Sequence, residues 1–354
     1  MNFFRFLETL NIQNLGFNDL FILKLDNLKY LDIDNCKNIT IDENSCENII
    51  KLYIYGNIIK PNNLLRLPKV KYLDISSNDS IIDTKSLNNL KYLKCKNENF
   101  FLKINNQKLE VLKLIQQNVL KKEITNKVFE KIISIKTLKE VRMVTGELHD
   151  DDISRIQGEN ASVQFLKCIS HNLENKNSLC LYNLQKKFPN LNDFTLINIS
   201  EIENILEIKE NSDCKIKKLN ITLNGNIKLY CGKYEELEII SFKNCQQNIK
   251  NIDFPIFDAN CKVIFKSLKT FHYDDSQLIP DKFLNNLYNN LDKMPNLKDF
   301  ELQCNPEIYS VDTKLYSKYI EKLAKMNLEH LLFKLKKGEE FNSIDELKNV
   351  YPAL

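Results

Sequence analysis

LKYLDIDNC, from Leu28 to Cys36, is a phrase of nine residues that returns along most of the chain. It comes back as IIKLYIYGN (Ile49 to Asn57), VKYLDISSN (Val70 to Asn78), IKKLNITLN (Ile216 to Asn224) and LEIISFKNC (Leu237 to Cys245). Each copy is apolar at its first, fourth and sixth places and ends on Asn or Cys. Alternation of the fourth and sixth places suits a short strand with one buried face. One such strand cannot bury that face alone, so neighbouring copies must stack and share a core. The ninth residue turns the chain out of the strand. An Asn there can satisfy backbone groups of adjacent turns, and a small Cys fits the same slot.

This frame resembles the leucine-rich repeat, and the resemblance covers nearly the whole chain. It implies an α/β solenoid: a curved horseshoe with a parallel β-sheet on its concave face, and 3-10 turns and then helices on its convex face. It also implies ligand binding as the class of function, without naming the ligand.

Length alone, 354 residues, would suggest two or three domains. A continuous repeat removes that inference, because solenoids grow by addition, so residues 1–354 are read as a single domain. An apolar content of 43% is ample for a packed interior, and a net charge of +3 makes no electrostatic case for specific nucleic-acid binding. Of the ten cysteines, Cys36 and Cys245 take the ninth place, while Cys95 and Cys168 take the buried sixth place. With no CxxC pair and no zinc spacing, reduced thiols in a cytoplasmic or nuclear protein are expected. The first residues, MNFFRFLETLNIQNL, lack the pattern of a signal peptide, and a secreted protein follows only if the N-terminus is incomplete. No run of eighteen apolar residues occurs, so no membrane span is expected. Glycosylation sequons stand at Asn38, Asn78, Asn160, Asn198 and Asn220, and Asn78 in the ninth place is expected to turn inward.

Leu7, Leu10 and Ile12 form a worn first copy. Copies then start at Leu28, Ile49, Val70, Leu90 and Leu109, spaced 19 to 21 residues apart, which leaves room only for extended or 3-10 connections over residues 1–125. Later copies start at Leu138, Val163, Leu191, Ile216, Leu237, Leu268, Leu297 and Leu328, mostly 25 to 31 apart. The added length, over residues 126–340, is predicted to be helical. Val128, Phe129, Ile132 and Ile133 make one core-facing stripe, Leu284, Leu287 and Leu291 a second, and Leu315, Tyr319, Ile320 and Leu323, after Asp312 as N-cap, a third. This half resembles the ribonuclease-inhibitor-like type of repeat. Ser343 and Glu346 form a capping-box pair before Pro352, and residues 341–354 read as a C-terminal cap. The total is about fourteen repeats.

No catalytic signature stands out. GELHDDDIS, Gly146 to Ser154, is the only dense His/Asp cluster, and its consecutive residues point in different directions, as in a solvated loop. His171, His272 and His330 lie in separate repeats and read as surface contacts. The chain is expected to have no catalytic residue, no cofactor and no metal ligand, and to be a binding protein rather than an enzyme.

The stronger signal is on the strand faces, where the third, fifth and seventh places point away from the core. The N-terminal copies put Tyr30 and Asp32, Tyr53 and Tyr55, Tyr72 and Asp74, then Tyr92, Lys94 and Lys96 there. Tyr supplies a large rigid contact area with a polar tip, although it is also simply at home in strands. The fifth place then reads Lys94, Lys113, Arg142 and Lys167 in successive copies. Like charges on adjacent strands repel, so either an acidic ligand or the nearby Glu110 and Glu140 must compensate. Asp274, Asp275 and Glu301 reverse the sign further on. A graded face suits a protein partner, in particular an acidic extended segment, better than a uniform phosphate backbone. The expected function is a monomeric protein-binding scaffold or recognition module. The alternatives are a substrate-recognition subunit of a ubiquitin ligase, though no F-box-like segment precedes the repeats, a GTPase-activating regulator, or a secreted adhesion or host-contact protein.

Overall fold

The structure, a computed structural model, describes residues 6–23, 26–42, 46–56, 64–76, 81–115, 122–145, 150–170, 178–198, 204–209, 215–223, 225–229, 236–244, 265–275, 281–304, 313–336, 339–341 and 345–346. The chain divides into two compact units. The first is Met1–Val144 with Gly158–Val163, and the second is Thr145–Gln157 with Gln164–Leu354. Fourteen strands run parallel to their neighbours, seven in each unit, with few helices between them. Neither set closes into a barrel, and this α/β arrangement is compatible with a repeat solenoid.

In the first unit the strands are β1 (Thr9–Gln13), β2 (Gly16–Leu23), β3 (Tyr30–Asp34), β4 (Lys37–Ile41), β5 (Lys51–Tyr55), β6 (Tyr72–Ile75), β7 (Tyr92–Cys95), β8 (Val111–Leu114) and β9 (Glu140–Thr145). Its main sheet runs β1-β3-β5-β6-β7-β8-β9. Register follows the frame, so that the fifth places Asn11, Asp32, Tyr53, Asp74, Lys94, Lys113 and Arg142 stand side by side on consecutive strands. First-, fourth- and sixth-place residues, such as Leu90, Leu93 and Cys95, are fully buried beneath. On the other side β2 and β4 pair in parallel, Leu65 bridges Ile82, and a 3-10 turn covers Thr84–Ser86. These are the narrow connections that the short spacing requires. Helix α1 (Glu98–Lys103) corrects the expectation that residues 1–125 carry only extended or 3-10 connections: it buries Phe100 and Phe101, so a short helix fits even between copies 19 residues apart. Helix α2 (Lys122–Ser134) follows and buries Val128, Phe129, Ile132 and Ile133 as its stripe predicts.

The polar turn is set one residue earlier than the frame suggests. Asn14 and Asn35 occupy eighth places with φ of 55° and 47°, and Gly56 takes the next eighth place at φ 82°. Asn and Gly are the residues that tolerate this left-handed conformation. A Cβ on Gly56 would stand 3.2 Å from the Asn35 Cα, so that close approach adds a second reason for glycine. Asn35 donates its side-chain amide to Asn14 at 2.9 Å, and Asn97, also eighth, caps α1 through Asn99 N–H. Of the ninth-place residues, Cys36 is buried and donates its thiol to Asp34 O, 3.2 Å away. Asn57, Asn78 and Asn224 lie outside the described residues. A further buried place sits three residues before nine of the frames, although before the Leu328 copy the same place holds exposed Lys325. Cys46, Leu67, Leu87, Ile135, Phe188, Phe265 and Met294 fill it with apolar or sulfur side chains, and Asn106 and Asn160 fill it with amides.

In the second unit the strands are β10 (Phe165–Ser170), β11 (Ser178–Cys180), β12 (Asp193–Asn198), β13 (Asn204–Lys209), β14 (Lys218–Leu223), β15 (Gly225–Leu229), β16 (Ile239–Asn244), β17 (Thr270–Asp275), β18 (Asp299–Cys304), β19 (His330–Lys336) and β20 (Glu339–Phe341). The main sheet runs β10-β12-β14-β16-β17-β18-β19, with β20 antiparallel at its edge. Helices are α3 (Asp150–Arg155), α4 (Leu181–Lys187), α5 (Asp281–Asn290) and α6 (Thr313–Ala324). Leu284, Leu287 and Leu291 are buried on α5 and the 3-10 turn after it, as are Tyr319 and Leu323 on α6. The expectation that all the added length is helical needs correction. The copies at Leu191 and Ile216 fill it with β13 and β15, which join β11 in a parallel sheet of three. Their sequences, NILEIK and GNIKL, are rich in Ile and Leu, residues that suit strands. Most of the capping segment, including Ser343 and Pro352, lies outside the described residues, as do Asp312 and Gly146 to His149.

Second places add a charged rail along each sheet. Lys29 meets Glu8 at 2.6 Å, Glu110 lies between Lys91 at 2.8 Å and Lys139 at 3.3 Å, Lys269 meets Glu238 at 2.9 Å, and Lys298 pairs with Glu329.

Candidate functional site

On the open face of the first unit the tyrosines and lysines interleave. Tyr72 stacks on Tyr92 with centroids 3.8 Å apart and planes within 6°, and Tyr53 leans on Tyr72 at 5.3 Å. Parallel register puts one aromatic residue per strand at adjacent places, and spacings of this order favour such contacts. Lys51 lies 5.4 Å from the Tyr30 ring centre, Lys94 5.3 Å from that of Tyr55, and Lys113 5.1 Å from that of Tyr92. These separations are within cation–π range.

Asp74 organises the centre of this belt. It is only 3% exposed, accepts the Tyr55 hydroxyl at 2.5 Å and pairs with Lys94 at 2.8 Å. Burial, then the hydrogen bond to Asp74, holds the Tyr55 phenol above its usual range. Burial, then a hydrogen bond with Tyr72, does the same for Tyr92, and burial with its anionic neighbours raises Tyr53. Asp32 is also raised, chiefly by burial and then by Asp34 and Asp74. Tyr53, Tyr55 and Tyr92 therefore stay neutral hydrogen-bonding groups well into the alkaline range.

The basic row is compensated from within the sheet. Lys94 is held by Asp74, while Glu140 stands 2.7 Å from Arg142 and 3.8 Å from Lys113. Glu110 instead serves the second-place lysines Lys91 and Lys139, whose hydrogen bonds lower its carboxyl below the usual value. Tyr30 and Arg142 are exposed; Asp32, Tyr53, Tyr55, Tyr72, Tyr92, Lys94, Lys96 and Lys113 are half-buried. All these belong to the first unit. Lys167 belongs to the second, where it is half-buried on β10 in register with Thr195.

The second unit brings together residues that the sequence left apart. His272 takes a fifth place on β17, Asp299 and Glu301 the third and fifth places on β18, and His330 a third place on β19. His272 Nε2 is 3.1 Å from Asp299, and His330 Nδ1 is 2.7 Å from the other oxygen of the same carboxylate. Glu301 stands 3.7 Å from His272 and 3.8 Å from His330. Writing the third and fifth places as columns, copy by copy, would have disclosed this group. Reading each histidine within its own repeat hides it. His171 lies outside the described residues.

No described helix is long and apolar enough to cross a membrane. No protein-family model, curated protein or solved structure matches the chain.

Proposed function

We propose that this chain is a protein-binding recognition module, and that the open face of its first unit is the contact surface. The observation that supports this reading is the ordered belt of Tyr53 leaning on Tyr72 and Tyr72 stacked face to face on Tyr92, flanked by Lys94 over Tyr55 and Lys113 over Tyr92. A tyrosine already fixed by its neighbours loses little freedom on binding, which is the cost that most reduces affinity. Charge on this face is graded. Asp32 and Asp34 lie on β3, whereas Lys94, Lys96, Lys113 and Arg142 lie on or just after β7, β8 and β9. An extended partner segment that is acidic where it crosses β7 to β9 and apolar over the tyrosines complements that order.

The test is a quantitative affinity capture with three forms of the protein: the natural chain, Tyr72→Ala, and the double variant Lys113→Glu with Arg142→Glu. A protein held by the natural chain should be lost at least about tenfold with Tyr72→Ala, in line with the weight of aromatic anchors in interfaces. The double variant should bind the same protein with a slower on-rate and a flatter salt dependence. Circular dichroism checks that both variants keep the fold. Identical capture by all three forms would refute the reading.

A further inference from the structure

We infer that His272, Asp299, Glu301 and His330 form a binding site for a divalent first-row transition metal of the zinc type. The site is separate from the tyrosine belt and does not depend on the function proposed for it. Its framework is fixed by register. His272 stands opposite Glu301 across β17 and β18, and Asp299 opposite His330 across β18 and β19, so two pairs share one face of three adjacent strands. Beneath them Phe271, Phe300, Tyr273 and Leu302 are buried, with the two phenylalanine rings stacked 5.7 Å apart. That floor holds the strands which carry the polar groups.

The distances suit an ion. Two ligands each about 2.1 Å from a tetrahedral metal stand about 3.4 Å apart. The histidine–carboxylate separations are 2.7, 3.1, 3.7 and 3.8 Å; the two shorter ones are hydrogen bonds, and each needs to lengthen by well under an ångström when an ion replaces the proton between the partners. One donor atom each from His272, Asp299 and Glu301 already lie within 4.8 Å of one another. All four side chains are between 27% and 52% exposed, which leaves solvent a path to the donors. Two imidazoles and two carboxylates make an N2O2 set, which favours zinc, iron, nickel or cobalt over calcium and magnesium, ions that take oxygen alone.

The charge balance agrees. Asp299 and Glu301 together bring two negative charges, and the described lysines nearest in the frame are engaged elsewhere. Lys243 pairs with Asp274, Lys269 with Glu238, and Lys298 with Glu329. A dication would neutralise the two carboxylates.

The experiment uses the full chain, stripped with a chelator under reducing conditions and titrated with Zn2+ by calorimetry and with Co2+ by visible absorption. A single Zn2+ per chain should bind, and Co2+ should give ligand-field bands without the sulfur charge-transfer band that cysteine ligation produces. Glu301→Gln and His272→Gln should each weaken binding by at least about tenfold with circular dichroism unchanged. A second measurement needs no variant: proton NMR of the natural chain should show Co2+ shifting two of the four histidine rings. The proposal fails if no stoichiometric Zn2+ is taken up, if a thiolate band dominates, if Glu301→Gln binds as tightly as the natural chain, or if Ca2+ binds in preference to Zn2+.

Discussion

At the scale of single residues, Asn160 shows how polar atoms are handled inside a repeat core. It is fully buried, donates to Ile132 O at 2.8 Å and Ile135 O at 2.7 Å, and accepts from Ser162 N–H at 3.0 Å. Asn106 makes the equivalent bonds to Leu90 O and Lys108 N–H. Asn160→Ala should therefore cost about 2–3 kcal/mol in denaturant unfolding, because it strands buried backbone groups. With both amide hydrogens of its side chain engaged in the core, Asn160 leaves no room for a glycan in this conformation. Cysteine chemistry follows a similar logic. Cys36, Cys46, Cys95 and Cys168 are buried thiols rather than disulfides, and burial pushes the Cys168 thiol up to about 12 from the usual 9.0. Over about pH 9 to about pH 12 the unfolded chain has lost this proton while the folded chain keeps it. Stability from this group is thus complete below about pH 9 and falls as pH rises, by about 1.4 kcal/mol per unit. Urea midpoints measured from about pH 8 to about pH 11 should decline less steeply in Cys168→Ala than in the natural chain.

At the scale of elements, the strands of the main sheets were legible because burial repeats at the first, fourth and sixth places, and no other local structure satisfies that spacing copy after copy. Helices α2 and α5 were legible for the same reason at helical period. The outer strands β2, β4, β13 and β15 were harder, since they lie between frames and carry no phrase that returns from copy to copy. The turn was misplaced by one residue. A run of polar residues after a strand, such as Asp34 and Asn35 before Cys36, does not itself say which one takes the left-handed backbone. The tyrosine belt was partly legible. Its members came from the frame, but Asp74 as the shared partner of Tyr55 and Lys94 depends on side-chain reach between strands. The histidine–carboxylate group was not read at all, because its members are 27 to 31 residues apart and mean little until the strands are laid side by side.

At the scale of the whole molecule, nearly every strand contact joins a copy to the next one along the chain, and stability should be distributed accordingly. Leu93 is fully buried between β6 and β8, so Leu93→Ala should cost about 2–5 kcal/mol. Hydrogen exchange should report that loss mainly in β6, β7 and β8, with protection at β16 to β18 in the other unit unchanged. Uniform loss of protection across both units would show instead that the chain unfolds as one cooperative body. The second-place rail has a consequence for how such a chain can grow. Glu110 lies between Lys91 and Lys139, and Glu238 beside Lys269, so sign alternates from one copy to the next along these stretches. Excision of the Leu109 copy would bring Lys91 against Lys139, and its tandem duplication would set Glu beside Glu. Tandem gain of the Leu90 and Leu109 copies together keeps the alternation intact. Each exposed pair contributes little to stability, so the bias is weak. Growth by duplication at this stretch is therefore easier in pairs of copies than singly.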